Sequence, residues 1–268
     1  MRSSFLTVIL SIAIAGCVAG DLESTNPPPP AGGPDAAPPA PDAAVAGRVT
    51  EGLQLLYHFG GGSPLQETVT DLSGVGNPYN LTVGNPANLQ WLPTTVIVQQ
   101  PTILTAIEPA VKVYAACSTS NEVTIEGWLS PADVGQNGPA RIATFSGGND
   151  ARNFTLAQAQ VNYDFRLRTS ETDLNGTPAV VHGPVNPTVM QHVVYTRNAL
   201  GTVTVYLDNT PMVPDPVAGN LEWSSAYQFA IANEIGEQRP WLGQLGLIAV
   251  YCRALTPPEV TQNYNAGF

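Results

Sequence analysis

One stretch near the end of the chain, residues 241–255, constrains the fold more than any other. It reads Trp-Leu-Gly-Gln-Leu-Gly-Leu-Ile-Ala-Val-Tyr-Cys-Arg-Ala-Leu, with apolar residues at both odd and even positions. A strand that is apolar on both faces must be covered on both faces, which indicates a central strand. Thr256 and Pro257 follow with the cap and first-turn proline that begin a helix. The sequence therefore predicts a buried last strand and a short C-terminal helix.

Composition favours an all-β domain. Glycine and proline number 25 each, and charged residues make up only 12% of the chain. Many turns and few charges argue against helical bundles and coiled coils. The formal net charge of −11, with only ten Lys+Arg, excludes nucleic acid as a partner. The acidity fits either the solubility of an exported protein or cation binding.

The first 16 residues have the pattern of an export signal, because Arg2 precedes an apolar run at residues 5–14 that is too short for a stable membrane span. The run ends in Ile-Ala-Gly-Cys, which resembles the bacterial lipobox. The resemblance implies a lipoprotein signal peptide at residues 1–16 and a lipid on Cys17; the alternative is an ordinary signal peptide with a chance cysteine. Because residue 18 is valine and not aspartate, the resemblance favours the outer membrane of a Gram-negative bacterium.

Residues 17–49 are rich in proline and alanine and contain hardly a large apolar residue. Such a segment cannot bury a core, so it is predicted to be a disordered, extended tether that holds a domain away from the membrane. The folded part is predicted at residues 50–268, and no internal repeat divides it.

Three motifs within that part resemble one family. Residues 123–131 read Val-Thr-Ile-Glu-Gly-Trp-Leu-Ser-Pro, residues 191–209 contain a Gln-His-Val-Val-Tyr-Thr strand and a Val-Tyr-Leu-Asp-Asn hairpin, and residues 241–255 are the last strand. With the Asp-Leu-Ser-Gly turn that begins at Asp71, they resemble laminin-G-like domains of the concanavalin A-like lectin/glucanase superfamily. The resemblance implies a two-sheet antiparallel jelly-roll sandwich. We interpret Asp71 as a turn cap rather than a metal ligand.

Glu126 is the acid that most suggests a site, because period two places it beside Trp128 on one face of a strand. It is interpreted either as a ligand-binding carboxylate or as a half-buried acid that arginine or backbone donors satisfy. Arg166 and Arg168 share a strand face, and Glu126 is the first candidate for the carboxylate they face; an exposed charged stripe is the alternative. His192 is interpreted as structural.

A shallow carbohydrate site uses aromatic platforms with amide and carboxylate hydrogen bonds. Several side chains have that chemistry, although aromatic residues at strand ends also serve as packing. The predicted ligand-binding residues are Glu126, Trp128, Arg166, Arg168, Asn233, Glu234 and Trp241, and Trp223 shares their chemistry.

Calcium is the cofactor that the resemblance implies, since many relatives hold it at a sandwich edge. The positions where relatives carry acids are Gly60 and Gly246 in this chain, which counts against such a site. Should a site remain, its candidate oxygen ligands are Asp208, Asn209 and Asn233.

Cys117 and Cys252 are the two cysteines that remain once Cys17 is lipidated. In an oxidising compartment they form either a disulfide or two separate buried thiols, and their wide separation gives no spacing signature.

No complete catalytic motif is present. The Glu-x-Asp-x-x-Glu pattern of laminarinase-like relatives, which would supply a retaining pair of carboxylates, is absent, as is a Gly-x-Ser-x-Gly elbow. The sequence predicts a surface-anchored, non-catalytic module that recognises a glycan or an extracellular protein. The alternatives are a structural or assembly role at the cell envelope without a small-ligand site and, ranked below both, a polysaccharide hydrolase.

Replacing Cys17 removes the predicted attachment site for lipid. We expect the wild-type protein to incorporate a palmitate analogue during growth and the Cys17→Ala protein to incorporate none, because the lipobox resemblance places the lipid on this cysteine alone. Gel fluorescence measures the incorporation, and Cys117→Ala is the matched cysteine control that stays labelled. Label on the Cys17→Ala protein would contradict the lipobox interpretation.

Overall fold

The computed structural model describes residues 47–268. The predicted signal peptide, the lipidation site at Cys17 and most of the predicted tether lie outside the described residues. Arg48 and Val49, which the composition places at the end of the tether, are buried in the domain. None of the helices in residues 47–268 combines the length and apolar composition that a membrane span needs.

The described residues form seventeen strands, two α-helices and one 3-10 turn at Pro86–Asn88. The strands are β1 (Leu53–His58), β2 (Thr68–Val69), β3 (Leu81–Val83), β4 (Leu89–Trp91), β5 (Val96–Val98), β6 (Leu104–Thr105), β7 (Val123–Pro131), β8 (Ala140–Gly148), β9 (Ala151–Ala159), β10 (Asn162–Leu167), β11 (Val180–His182), β12 (Gln191–Arg197), β13 (Thr202–Leu207), β14 (Thr210–Pro211), β15 (Asp215–Pro216), β16 (Gln228–Ile231) and β17 (Gly243–Tyr251). The helices are α1 (Val111–Ser120) and α2 (Pro257–Ala266).

The strands make two antiparallel sheets. The first sheet has nine strands, in the order β14-β13-β12-β7-β17-β5-β4, with β1 added beside β17 and β15 beside β13. The second sheet has eight strands, in the order β11-β10-β9-β8-β16-β6-β3-β2. This arrangement confirms the predicted all-β, jelly-roll-like sandwich.

The main core lies between the two sheets, and alternation along the strands supplies it. Ile125 and Leu129 point into it from β7, whereas Phe154 and Leu156 point into it from β9. The last strand, β17, pairs with β7, β5 and β1 and is buried at every position except Gln244. The prediction of a central, doubly covered strand is confirmed.

A second, smaller core lies on the outer face of the first sheet, beneath α2. Val260 of α2 is buried there against side chains from β1, β7 and β17, including Leu56, Trp128 and Leu247. A capping box between Thr256 and Glu259 begins the helix. The predicted C-terminal helix is therefore confirmed, and it covers one end of the sheet.

The helix α1 was not predicted, and it carries one half of a disulfide. Cys117 in α1 is bonded to Cys252, with their Cα atoms 4.4 Å apart. The bond joins the helix to the residue that follows β17. Of the two alternatives for these cysteines, the disulfide is confirmed.

Removing the disulfide should destabilise the domain. We expect the Cys117→Ala/Cys252→Ala protein to lose about 2–4 kcal/mol of unfolding free energy, because the bond closes a long loop in the unfolded chain. Urea denaturation measures the change, and Cys17→Ala, which leaves the bond intact, is the control. Equal midpoints for the double variant and the control would contradict this role.

Candidate functional site

Glu126 is fully buried on β7, on the outer face of the first sheet. Arg48 donates two hydrogen bonds to its Oε1, at 2.8 and 2.9 Å, and Asn263 of α2 donates one to Oε2 at 2.8 Å. His192 Nε2 lies 2.9 Å from Oε1, and the Tyr251 hydroxyl lies 3.4 Å from Oε2. These five residues, called the Glu126 cluster, tie the N-terminal segment and α2 to the sheet.

The hydrogen-bond and charge partners of Glu126 stabilise its ionised form. Burial alone would raise the pKa of this carboxyl, but the nearby Arg48 guanidinium and His192 outweigh burial and lower the pKa below its usual value. Glu126 is therefore ionised and has a structural role. This matches the interpretation of Glu126 as an acid that an arginine satisfies. The structural interpretation of His192 is also confirmed by its burial and its contact with Glu126.

The expected contact of Glu126 with Arg166 and Arg168 is wrong. Arg166 Nε lies 2.8 Å from Asp164, and Arg168 pairs with Glu222. The side chains of both arginines lie on the outward face of the second sheet, whereas the alternating Phe165 and Leu167 point inward into the core. Because Glu126 is on the outer face of the other sheet, the two faces point to opposite sides of the sandwich.

The predicted aromatic residues pack against neighbouring side chains and are not exposed for contact with a ligand. Trp128 is 9% exposed, and its ring centroid lies 4.8 Å from His192 and 5.5 Å from Tyr264. Trp241 is fully buried, and its Nε1 donates to Gln158 at 3.0 Å. Trp223, 7% exposed, packs edge-on against a core phenylalanine. Packing is thus the role the structure gives these tryptophans.

Two of the three β-bulges between β8 and β9 build a polar cluster on the outer face of the second sheet. In the pairing of β8 with β9, Ile142 and Asn153 have no direct partner, so Arg141 and Arg152 turn outward. Both arginines reach the carboxylate of Glu234, which follows β16 and is fully buried. The sequence alternation alone gives no sign of either bulge.

Glu234, like Glu126, has hydrogen-bond donors at both of its carboxylate oxygens. Its Oε2 accepts from Arg141 at 2.8 Å and from Arg152 at 3.2 Å, and the Ser146 hydroxyl donates to Oε1. Burial, with repulsion from Arg141, lowers the pKa of Arg152 to about 10, so the guanidinium remains charged at neutral pH. Asn233 accepts from the backbone amides of Glu234 and Arg239, which fixes the turn that carries the acid.

The structure does not bring the candidate calcium ligands together. Asp208 and Asn209 form the left-handed turn between β13 and β14, a conformation that these two residue types adopt more readily than other residues with a side chain. Asp208 accepts from the His192 amide, Asn209 accepts from the Thr261 hydroxyl, and Asn233 lies on the other sheet. Within residues 47–268 no group of three or more His, Cys, Asp or Glu side chains is placed to hold a metal ion.

The two glycines at the positions of the relatives' acids have no room for one. A Cβ on Gly246 would lie 2.4 Å from the ring of Phe268, the last residue, and a Cβ on Gly60 would lie 2.6 Å from the His58 ring. The C-terminal phenyl ring therefore takes space that an acid would need.

An open groove of about 340 Å³ lies on the outer face of the first sheet, beside the start of α2. Thr196 pairs with Thr204 across β12 and β13, and alternate positions place Thr202 and Tyr206 on the same face. We call it the hydroxyl groove, and its polar lining residues are Glu122, Thr196, Asn198, Thr202, Thr204, Tyr206 and Thr256. No motif in the sequence indicated this groove.

The groove offers neutral hydroxyl groups and one carboxylate to a ligand. Within the described chain, the hydroxyls of Thr202, Thr204 and Tyr206 have no hydrogen-bond partner. Burial raises the pKa of Tyr206, so this hydroxyl keeps its proton and can donate. Glu122 accepts from two backbone amides, at 3.1 and 3.2 Å, which fixes its carboxylate while each oxygen retains a lone pair. Among its lining residues there is no arginine or lysine.

The two sheets, the buried last strand and the covering helix define a lectin-like jelly-roll sandwich. A family model described as the concanavalin A-like lectin/glucanases superfamily, of the laminin-G type, matches residues 106–261, more than half of the chain. The chain belongs to this superfamily, as the three sequence motifs indicated. A search of curated proteins finds no match to the chain.

Solved structures share the fold at low identity. The binding domain of botulinum neurotoxin DC, in complex with rat synaptotagmin II, is similar with a TM-score of 0.58 and 16% identity, over 81% of this chain and 52% of that one. A sialidase of Trypanosoma rangeli in complex with sialic acid is similar with a TM-score of 0.56 and 14% identity, over 80% of this chain and 32% of that one. The chain spans about half of the first and a third of the second, and these likenesses show the fold alone.

The Glu126 cluster predicts a specific loss of stability in acid. Because the folded-state pKa is lowered below the ordinary value of 4.5, the stabilisation is fully present above that pH and is lost as the pH falls through the folded value. We expect wild-type unfolding free energy to fall more steeply between about pH 5 and about pH 3 than that of Glu126→Gln. Urea denaturation across this range measures the slopes, with the exposed Glu237→Gln as control. Parallel slopes for wild type and Glu126→Gln would contradict the assignment.

Proposed function

We propose that this chain is a non-catalytic recognition module that binds a glycan through the hydroxyl groove while Cys17 anchors it by a lipid to the cell envelope. The observation that carries the proposal is the groove itself, an open site whose lining includes three unpaired hydroxyls, those of Thr202, Thr204 and Tyr206, and a fixed carboxylate. Sugar hydroxyls both donate and accept, and such a lining complements them. The absence of cationic groups from its lining favours uncharged sugars.

The positions of the buried acids support a non-catalytic role. Retaining glycoside hydrolysis needs two carboxyl groups about 5 Å apart, and inverting hydrolysis needs them less than about 10 Å apart. Glu126 and Glu234 lie on opposite outer faces of the sandwich, and each is engaged by at least one arginine. Neither is free to transfer a proton to a ligand.

The fold supports recognition as the general activity. The similar toxin binding domain is in complex with a protein in one structure and with SialylT in another. From this likeness we propose only that the sandwich of this chain also presents a binding surface. The predicted tether, which ends before the buried Arg48, would carry this surface away from the outer membrane.

A protein partner is the second candidate, and a different surface favours it. Ile107 is 88% exposed and Val111 is 54% exposed, beside a pocket of about 400 Å³ that Pro78 and Pro109 line. Exposed apolar side chains grouped around a pocket are typical of protein contacts. This surface would serve a structural or assembly role at the cell envelope.

Blocking the groove tests the glycan proposal. Thr202 is exposed on β13, and Thr202→Arg should fill the groove and reduce glycan binding at least tenfold because an arginine displaces the ligand from its hydrogen-bonding groups. Binding of the purified protein to an array of neutral and acidic glycans provides the measurement. The matched control is Thr82→Arg, at an exposed strand position of the second sheet.

The outcomes separate the candidates. Binding of neutral glycans that Thr202→Arg abolishes and Thr82→Arg retains supports the proposal. A blank array with folded wild-type protein, or binding that both variants retain, refutes the groove as the site. In that case, capture of an envelope protein that Ile107→Asp abolishes would establish the second candidate.

A further inference from the structure

The turn that begins at Asp71 encloses a positive charge. The ammonium group of Lys112, in the first turn of α1, lies 2.5 Å from Asp71 Oδ2, 2.9 Å from the Val75 carbonyl and 3.3 Å from the Ser73 hydroxyl. A carboxylate, a carbonyl and a hydroxyl that converge on one point are the oxygen ligands that hard cations take in proteins. Lys112 supplies the cation for this turn from within the chain.

Asp71 requires a cation at this point because its side chain is fully buried. Its two oxygens accept from the amides of Leu56, Ser73 and Tyr79, so the turn and the neighbouring β1 are built around the carboxylate. A buried charge without a partner is costly, whatever its hydrogen bonds to neutral groups. The expected turn cap is confirmed, and it depends on Lys112 for neutrality.

The choice of lysine at this position is informative. Lys112 is the one lysine of the chain, and the other nine of its ten basic residues are arginines. A compact ammonium is a point charge that three convergent oxygens can surround, whereas a guanidinium is a broad planar fork. The first turn of a helix also disfavours a cation, so helix energetics do not explain the residue. The contacts of Lys112 with the turn explain why a lysine is present at this position.

We propose that Asp71, Ser73 and Val75 form a cation site that the Lys112 ammonium occupies in place of a metal ion. The site makes the turn independent of dissolved metal in the wild-type protein. Removal of the ammonium leaves an oxygen-lined site, open to solvent because Lys112 is 17% exposed, that takes a hard divalent cation such as calcium.

Thermal unfolding of the full-length protein tests this proposal. Wild type should have the same Tm in calcium chloride and in sodium chloride of equal ionic strength. Lys112→Ala should unfold roughly 5 °C lower in sodium chloride, and about 10 mM calcium should raise its Tm by roughly 3 °C. The Asp71→Asn/Lys112→Ala protein, which lacks the carboxylate, should show no calcium effect.

Lys112→Arg is the matched charge-conserving control, and it should be destabilised without recovery in calcium. A Lys112→Ala protein that unfolds at the same temperature in both salts, or a wild type that calcium stabilises, would overturn the proposal.

Should the variants fail to fold, the wild type alone still tests the site. Peptide mapping after brief treatment with an amine-specific reagent should show Lys112 labelled at least tenfold more slowly in the native protein than in urea. Equal rates would mean that the ammonium is not enclosed.

Discussion

The buried carboxylate of Glu126 is the constraint on which the outer layer of the structure depends. A carboxylate removed from water needs a charge partner and hydrogen bonds on both oxygens. Arg48 provides the charge, and Asn263 provides the bond to the second oxygen. One partner comes from the segment before β1 and the other from α2, so a single side chain holds both ends of the domain against the first sheet. The helix can then bury Trp128 and Val260 beneath it.

The charged residues of this chain are used mainly for structure. Glu126, Glu234 and Asp71 are each buried and each paired with a basic group. The three sites lie at different places in the sandwich, and in each of them an ion pair with a basic side chain joins separate segments of the chain. Where the outer face of the first sheet is not covered by α2, Thr202 and Thr204 reach the surface, and with the largely buried Tyr206 they line the hydroxyl groove. This division explains why these three buried acids are poor candidates for ligand contact.

Much of the fold could be predicted because it depends on local alternation. The double apolar face of β17 and the Val123, Ile125 and Leu129 positions of β7 indicate their environment directly. The helix α1 could not be predicted in this way. It has no side-chain cap, and the disulfide at Cys117 and packing at Val113 hold it in place.

The candidate site was harder to predict, for a geometric reason. Alternation shows which face of its own strand a residue occupies, but it does not show which sheet the strand joins. Glu126 and Arg166 were therefore paired wrongly, and Arg48, which is 78 positions from Glu126, was assigned to the tether by its neighbours' composition. The alternation of Thr202, Thr204 and Tyr206 with valines was visible in the sequence, yet it indicated only a hairpin strand.

A double-mutant cycle between Arg48 and Glu126 tests the central claim most directly. Arg48→Met leaves a buried carboxylate without its cation and should cost about 3–5 kcal/mol of unfolding free energy. Adding Glu126→Gln removes that charge, so the Arg48→Met/Glu126→Gln protein should be markedly more stable than the sum of the single losses predicts. The exposed Arg239→Met, combined with Glu126→Gln, should give additive losses. Additive losses for the Arg48 pair would contradict the claim that this ion pair closes the domain.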